Sequence, residues 1–290
     1  MRVCIRVFGI VQGVGFRPTV KRHADACDIA GSVSNKGPYV EIFAEGSEEC
    51  VHSFIKQIQE EPPKRAVILK LDVENVESGE DGIHKVESET DSKEKFQIIE
   101  SEKEEGEIFV SPDIAICPEC KKELYDKNDR RYLHPFINCT CCGPRLTILD
   151  SMPYDRVRTS MGEFPMCEKC EYEYTHAETR RFDAQPVCCN DCGPEVYLLG
   201  RKERGADAIR YTRKVISEGG IVAVKGIGGF HLCCDAAKEE TVARLRQRKK
   251  RPMKPFAVMM KDLDVVRREC ETEPHLEEIL DGHQKPIILL

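Results

Sequence analysis

Two sets of residues in this chain combine types and spacing that chemistry can use. The first is a set of cysteine pairs. Cys117-x2-Cys120 is followed, after eighteen intervening residues, by Cys139-x2-Cys142, and Cys167-x2-Cys170 by Cys189-x2-Cys192 with the same gap. A Cys-x2-Cys knuckle turns the chain so that two thiolates face one ion, and two knuckles close a tetrahedron of the kind zinc prefers. Such a closed site leaves no position for substrate, so the metal is expected to be structural and to supply folding energy to a segment poor in apolar residues. The second set is Val11-Gln12-Gly13-Val14-Gly15-Phe16-Arg17. Glycines at 13 and 15 allow successive backbone N–H groups to converge on an anion at a helix start. Arg17 adds a planar, permanently charged fork. A tight structural turn is the bland alternative for the glycines alone.

The cysteine sets are related by a shift of fifty positions, and the shift carries more than thiols. Arg130-Arg131 recurs as Arg180-Arg181 and Glu123 as Glu173, which makes this an internal repeat. Cys141 and Cys188 have no counterpart at that offset and are left out of the ligand sets. Two zinc ions are expected, at Cys117, Cys120, Cys139 and Cys142 and at Cys167, Cys170, Cys189 and Cys192. Sequential pairing is favoured because the knuckle–loop–knuckle unit repeats whole; an interleaved arrangement remains open.

The elements that must position these residues follow from local pattern. Val3, Ile5 and Val7 alternate as in a half-buried strand that runs into the glycine turn. An amphipathic helix follows over about 16–27, with Pro18 in its tolerant first turn. Short strands at 31–34 and 39–44 flank Asn35-Lys36-Gly37-Pro38, which is turn chemistry. Ser47 caps a helix over about 47–60, ended by Pro62-Pro63. Strands at about 66–77 and 95–100 complete a βαββαβ order with a last edge strand, a ferredoxin-like pattern in an α+β chain. Residues 77–94 read as a solvated charged loop and 102–110 as an acidic linker. The domain plan is 1–101, linker 102–110, cysteine module 111–200, and a third, α/β region at 205–290. That region opens with a helix, a buried strand over 221–224 and a basic helix over 237–250.

Composition narrows the class. The chain has 290 residues, 33% of them charged and 40% hydrophobic, with a net charge of −7. The acidic balance argues against a nucleic-acid partner. No apolar run reaches the roughly 18 residues needed to span a bilayer, and the alternating N-terminal strand is not a signal peptide. A cytoplasmic location is expected, so the ten cysteines of the sixteen that crowd between Cys117 and Cys192 read as metal ligands and not as bridges.

Val-Gln-Gly-Val-Gly-Phe-Arg resembles the active-site loop of acylphosphatases, whose second motif, Gly-x-Val-x-Asn, stands here as Gly31-Ser32-Val33-Ser34-Asn35. The resemblance implies phosphate binding by Gln12, Gly13, Val14, Gly15, Phe16 and Arg17, and catalysis by Arg17 with Asn35 orienting the attacking water. Pro38-Tyr39 departs from that family's usual glycine after the Asn turn. The third region carries Lys225 before a Gly-rich turn and Lys249-Lys250-Arg251-Pro252, a basic cluster followed by an apolar strand over 256–259. These resemble YrdC-like domains and imply nucleotide contacts from Lys225, Lys249, Arg251 and Lys254, with His231 as a further candidate.

Tandem knuckles, Phe136-Ile137-Asn138-Cys139 and Arg181-Phe182-Asp183-Ala184-Gln185-Pro186 together resemble the hydrogenase-maturation carbamoyltransferases of the HypF family, over nearly the whole chain. The resemblance implies three chained steps: hydrolysis of carbamoyl phosphate, ATP-dependent carbamoyl-adenylate formation, and carbamoyl transfer to a cysteine of HypE. Pro286–Leu290 reads as an apolar strand with nothing to cover it. The YrdC-like domain is therefore expected to be incomplete and the later steps absent. Two other readings stay in play. One is a zinc-ribbon adaptor without catalysis, favoured if Tyr39 fills the phosphate cradle. The other is a generic acylphosphatase fused to an unrelated zinc domain.

Overall fold

The structure, a computed structural model, describes residues 1–76, 95–99, 101 and 111–290. The charged loop expected at 77–94 and the linker at 102–110 lie outside the described residues. Contacts divide the chain into two units, 1–113 with 138–192 and 114–137 with 193–290.

In the first unit, β1 (Arg2–Ile10) leads into α1 (Phe16–Ala26), β2 (Ala30–Asn35), β3 (Tyr39–Glu45), α2 (Glu48–Glu60), β4 (Val67–Asn75) and β5 (Phe96–Ile98). This is the expected βαββαβ order plus an edge strand. The sheet runs β4-β1-β3-β2-β5, with β1 antiparallel to both neighbours and β5 parallel to β2. Alternation in β1 sends Val3, Ile5 and Val7 into the core at 1% exposure or less. On α2, Val51, Phe54 and Ile58 recur at helical spacing and are buried with them. Phe54 meets Phe96 edge-on at 6.1 Å between ring centroids. Each such side chain contributes about 1.5–3 kcal/mol on burial. Ser47 caps α2, its Oγ accepting from the Cys50 N–H at 3.1 Å, and Gly15, at φ 80°, stands at the N-cap of α1.

The rest of this unit has little regular structure. It contains α4 (Glu168–Thr175), three single-turn 3₁₀ segments between Leu146 and Glu163, and loops held by buried arginines. Arg156 is one of these. Its guanidinium donates to the carbonyls of Gln185, Val187 and Phe164 at 2.7–2.8 Å.

The second unit contains α3 (Pro118–Tyr125) and, after residue 193, α5 (Gly205–Ser217), the hairpin β6 (Val222–Gly226) and β7 (Gly229–Cys233), α6 (Glu239–Lys249), α7 (Leu263–Glu269) and α8 (Pro274–Asp281). Here the structure corrects three expectations. The strand expected to be buried over 221–224 forms as β6, but its centre is exposed, because it pairs only with β7 among the described residues. A two-stranded ribbon has no layer to cover its apolar side chains, and Val224, Phe230 and Leu232 are exposed accordingly. The apolar run after the basic cluster, Phe256–Met259, forms no strand, and neither does Pro286–Leu290. Pro252, Pro255 and Pro286 remove ladder donors at both places.

The fifty-residue repeat is structural as well as textual. Leu133 and Asp183 both adopt left-handed backbone, at φ 52° and 55°. The Leu133 N–H donates to Leu124 O and the Asp183 N–H to Tyr174 O, each at 2.9 Å. The His134 N–H reaches Arg131 O, and the Ala184 N–H reaches Arg181 O, both at 3.0 Å.

Candidate functional site

The cysteines gather in sequence order. Cys117, Cys120, Cys139 and Cys142 form one group and Cys167, Cys170, Cys189 and Cys192 the other, with the sulfurs of each within 4.8 Å of one another. Sγ–Sγ separations are 3.7 Å for Cys139–Cys142, 3.8 Å for Cys167–Cys189 and 3.9 Å for Cys189–Cys192. A tetrahedron with Zn–S bonds of about 2.3 Å has edges of about 3.8 Å, so the spacing fits zinc and is far too long for disulfides. Helices α3 and α4 each begin on a knuckle, and the Cys117 sulfur accepts from the Cys120 N–H. Burial works against the Cys167 thiolate, yet hydrogen bonds from Cys170, Cys189 and Cys192 bring its thiol down to about 7. Cys141 and Cys188 stand outside both groups. The Cys188 sulfur, 1% exposed, faces Asn138 Nδ2 at 3.9 Å, and the Cys141 carbonyl accepts from Arg65.

The glycine loop lies in the first unit beside a small cavity of about 20 Å³. Gln12, Gly13, Gly15, Phe16, Arg17 and Asn35 all line it, so the structure brings the two motifs to one place. Gln12 ties the loop to its surroundings. Its Nε2 donates to Gly37 O at 2.8 Å, and its Oε1 accepts from the Tyr154 N–H at 3.3 Å. Asn35, at the end of β2, is 2% exposed, and its Oδ1 has no hydrogen-bond partner. A buried amide oxygen without a partner is costly, and this one borders the cavity. Tyr39 packs against Phe8, ring centroids 5.1 Å apart, and is not among the residues lining the cavity.

Arg17 is buried, and its fork is engaged. Nη1 lies 3.1 Å from Asp155 Oδ1 and donates to Ser101 Oγ at 3.1 Å, while Nε lies 3.1 Å from Asp183 Oδ2. Burial alone would lower the pKa of Arg17, but the carboxylates of Asp183 and then Asp155 more than offset it and hold the guanidinium charged. For Asp183 burial wins: its carboxyl is pushed above the ordinary range despite the pull of Arg17. Arg145, 2% exposed, spends one N–H on each of five carbonyls, those of Gly13, Cys139, Thr140, Cys142 and Pro144. None of Asp155, Asp183 or Arg145 is a site residue in the sequence reading. One signal was available: Asp183 stands where the repeat has Leu133.

In the third region, Lys225 on β6 sits over the Phe230 ring at 5.6 Å. Arg251 donates to Lys254 O and Pro255 O and lies over Phe256 at 5.2 Å. Arg246, which sequence pattern did not single out, folds the same loop by donating to the carbonyls of Arg251, Pro252 and Lys254. Lys249 is exposed at the end of α6, and His231 is exposed on β7.

Comparison with known proteins places these features. The Acylphosphatase family model matches residues 3–97, the HypF finger model 116–149 and 166–199, and the Telomere recombination model, of the Sua5/YciO/YrdC kind, 214–290. A probable carbamoyltransferase HypF from Methanocaldococcus jannaschii is 48% identical over 295 residues, covering all of this chain and 37% of that protein. The chain belongs to the HypF family. A crystal structure of full-length HypF, in a phosphate- and nucleotide-bound form, matches 98% of this chain at 45% identity with a TM-score of 0.87, and the chain covers 36% of it. An acylphosphatase from Caldivirga maquilingensis is 45% identical over 83 residues, which are 28% of this chain and 86% of that enzyme. The chain thus spans little more than a third of those HypF relatives. Its two four-cysteine groups are of the HypF zinc-finger type. Among its described residues no helix is long and apolar enough to cross a membrane.

Proposed function

We propose that the first unit hydrolyses carbamoyl phosphate, the acylphosphatase step of a carbamoyl transfer that serves hydrogenase maturation. In this reading the loop amides from Gln12 to Phe16 and the Arg17 guanidinium hold the phosphoryl oxygens. The Asn35 Oδ1 accepts a hydrogen bond from a water. That water's oxygen attacks phosphorus, the bond from phosphorus to the acyl oxygen breaks, and carbamate leaves with the bonding pair. A water proton is released, and phosphate is the second product. No protein nucleophile is required; the work is positioning and charge stabilisation. The observation that supports it best is the buried, unpartnered Asn35 Oδ1 beside the same cavity as Arg17.

The four-cysteine groups hold one zinc ion each in this reading, at the eight residues named above. Zinc there braces the loops and leaves the chemistry to Arg17 and Asn35. ATP use through Lys225, Lys249, Arg251 and Lys254, carbamoyl-adenylate formation and transfer to HypE are family-level readings of the third region and of the longer relatives. Phosphate release from carbamoyl phosphate tests the central assignment. The chain is expected to release it, and Arg17→Ala to lose the activity. Release undiminished in that variant would overturn the assignment.

A further inference from the structure

The cradle is walled by residues from the cysteine-rich part of the first unit. A Cβ placed on Gly15 would come within 2.8 Å of Thr140 Cγ2, and one on Gly13 within 3.0 Å of Arg145 Cδ and 3.5 Å of Tyr154 Cδ1. Tyr154 is 5% exposed. A substrate held here therefore lies against this wall. The charges determine which way round it lies. Loop amides at the start of α1 attract the phosphoryl dianion, while the carboxylates of Asp155 and Asp183 repel it. The phosphoryl group faces the loop, and the uncharged acyl end faces the carboxylates.

We propose that Asp183 is a specificity-determining residue that selects an acyl phosphate whose acyl group is small and donates a hydrogen bond. The inference rests on the acyl-phosphate reading given above. Asp183 already accepts from Arg17 through both oxygens and from Gln185 Nε2 at 2.8 Å on Oδ1. Two carboxylate oxygens offer about four acceptor positions, so one is left for a donor in the cavity. A carbamoyl amide supplies that donor. An acetyl group has nearly the same shape and none, and it leaves a buried acceptor facing a methyl. Asp155 also has three donors, from Arg17, Ser101 and Arg158, but unlike Asp183 it is not among the residues lining the cavity.

The internal repeat supplies the test variant. Leu133 occupies the equivalent left-handed position in the other repeat, so Asp183→Leu replaces the acceptor with a side chain that this loop form already carries. The measurement is kcat/KM of the full chain for carbamoyl phosphate and for acetyl phosphate. Any loosening of Arg17 lowers both values and cancels in their ratio. Wild type is expected to prefer carbamoyl phosphate by on the order of tenfold or more. Asp183→Leu is expected to bring the ratio close to one, and Asp183→Asn, which keeps an acceptor oxygen, to retain most of the preference. If the leucine variant does not fold, Asp183→Gly, at ease at positive φ, reads the same ratio. Equal use of the two substrates by wild type, or an unchanged ratio in the variants lacking the acceptor, overturns the role of Asp183 and leaves the acyl-phosphate site standing. Failure of wild type to cleave either substrate overturns both.

Discussion

Arg17 Nε lies 3.1 Å from Asp183 Oδ2, with both side chains almost wholly buried. The residue expected to bind phosphate is thus paired with a carboxylate 166 positions away in sequence. Removing one partner of a buried pair strands the other, at a cost of about 3–5 kcal/mol. Arg17→Ala is therefore expected to lose stability as well as activity, because Asp183 is left buried without its cationic partner and Asp155 keeps only Arg158. The double variant Arg17→Ala/Asp183→Asn separates the two effects. Its melting temperature is expected to recover much of the loss while phosphate release stays absent. A double variant as unstable as the single one would show that the pairing contributes little.

Asn35 presents the opposite balance. Its Oδ1 makes no hydrogen bond within the protein, so replacing it breaks no hydrogen bond at that atom. Asn35→Ala is expected to cost about 1 kcal/mol of stability, the ordinary size for a point variant, and to lower kcat about a hundredfold. Affinity for inorganic phosphate, read by product inhibition, is expected to be unchanged, since the loop and Arg17 carry that binding. A loss confined to phosphate affinity would move Asn35 from orienting water to gripping the anion.

Zinc can be counted. Native mass spectrometry is expected to show two ions per chain, none after chelation under denaturing conditions, and one in Cys170→Ser. The serine variant is also expected to loosen the loop around Ala184 and Val187, which packs against Cys170 and Cys189. Because that loop carries Asp183, hydrogen exchange there is expected to rise with loss of the ion. Two ions retained in Cys170→Ser would contradict the ligand set.

The parts legible in the sequence were those set by local spacing. Alternation gave β1, the Ser47 cap and the Pro62-Pro63 stop gave α2, and the fifty-residue repeat sorted the thiols into two groups. Motif resemblance put Arg17 and Asn35 in one site, and the fold places both beside one cavity. The carboxylate partners of Arg17 were not legible, because their contact with it joins residues more than a hundred positions apart. Asp183 gave the one local hint, as a charge breaking a repeat whose other copy holds Leu133. Burial in the third region was misjudged for a related reason. An apolar run such as Ile221–Val224 records what a strand can bury, and the neighbours that would cover it are not written in the run.

Cys4 provides a pH test remote from the metal and the cradle. It is 4% exposed on β1, and its sulfur is 3.8 Å from Glu41 Oε2. Burial, followed by the Glu41 charge, pushes its thiol up from the ordinary range to about 11. A group whose pKa rises on folding stabilises the fold below its unfolded value, and that stability is lost as pH climbs through the folded value. Between pH 9 and 11 wild type is expected to lose stability faster than Cys4→Ala. Parallel melting curves for the two across that window would show that the thiol does not ionise against the fold.

Arg145 joins the cysteine loop to the cradle, and its five carbonyl partners define what can replace it. A trans peptide plane points its C=O and N–H in opposite directions. By accepting from Arg145, the Gly13 carbonyl fixes the direction of the Val14 N–H, one of the loop amides proposed to hold phosphate. The carbonyls of Cys139, Thr140, Cys142 and Pro144 complete the set. Lysine keeps the charge but offers three donors from one atom instead of five in a fork. Arg145→Lys is therefore expected to lose roughly 2–4 kcal/mol of stability, about what two unmet buried carbonyls cost. It is also expected to bind inorganic phosphate about tenfold more weakly, the equivalent of about 1.4 kcal/mol. The two readouts are thermal melting and calorimetric titration with phosphate at a temperature where the variant remains folded. A variant that is destabilised but binds phosphate as wild type does would make Arg145 a brace for the cysteine loop alone, with no hold on the orientation of the Val14 amide.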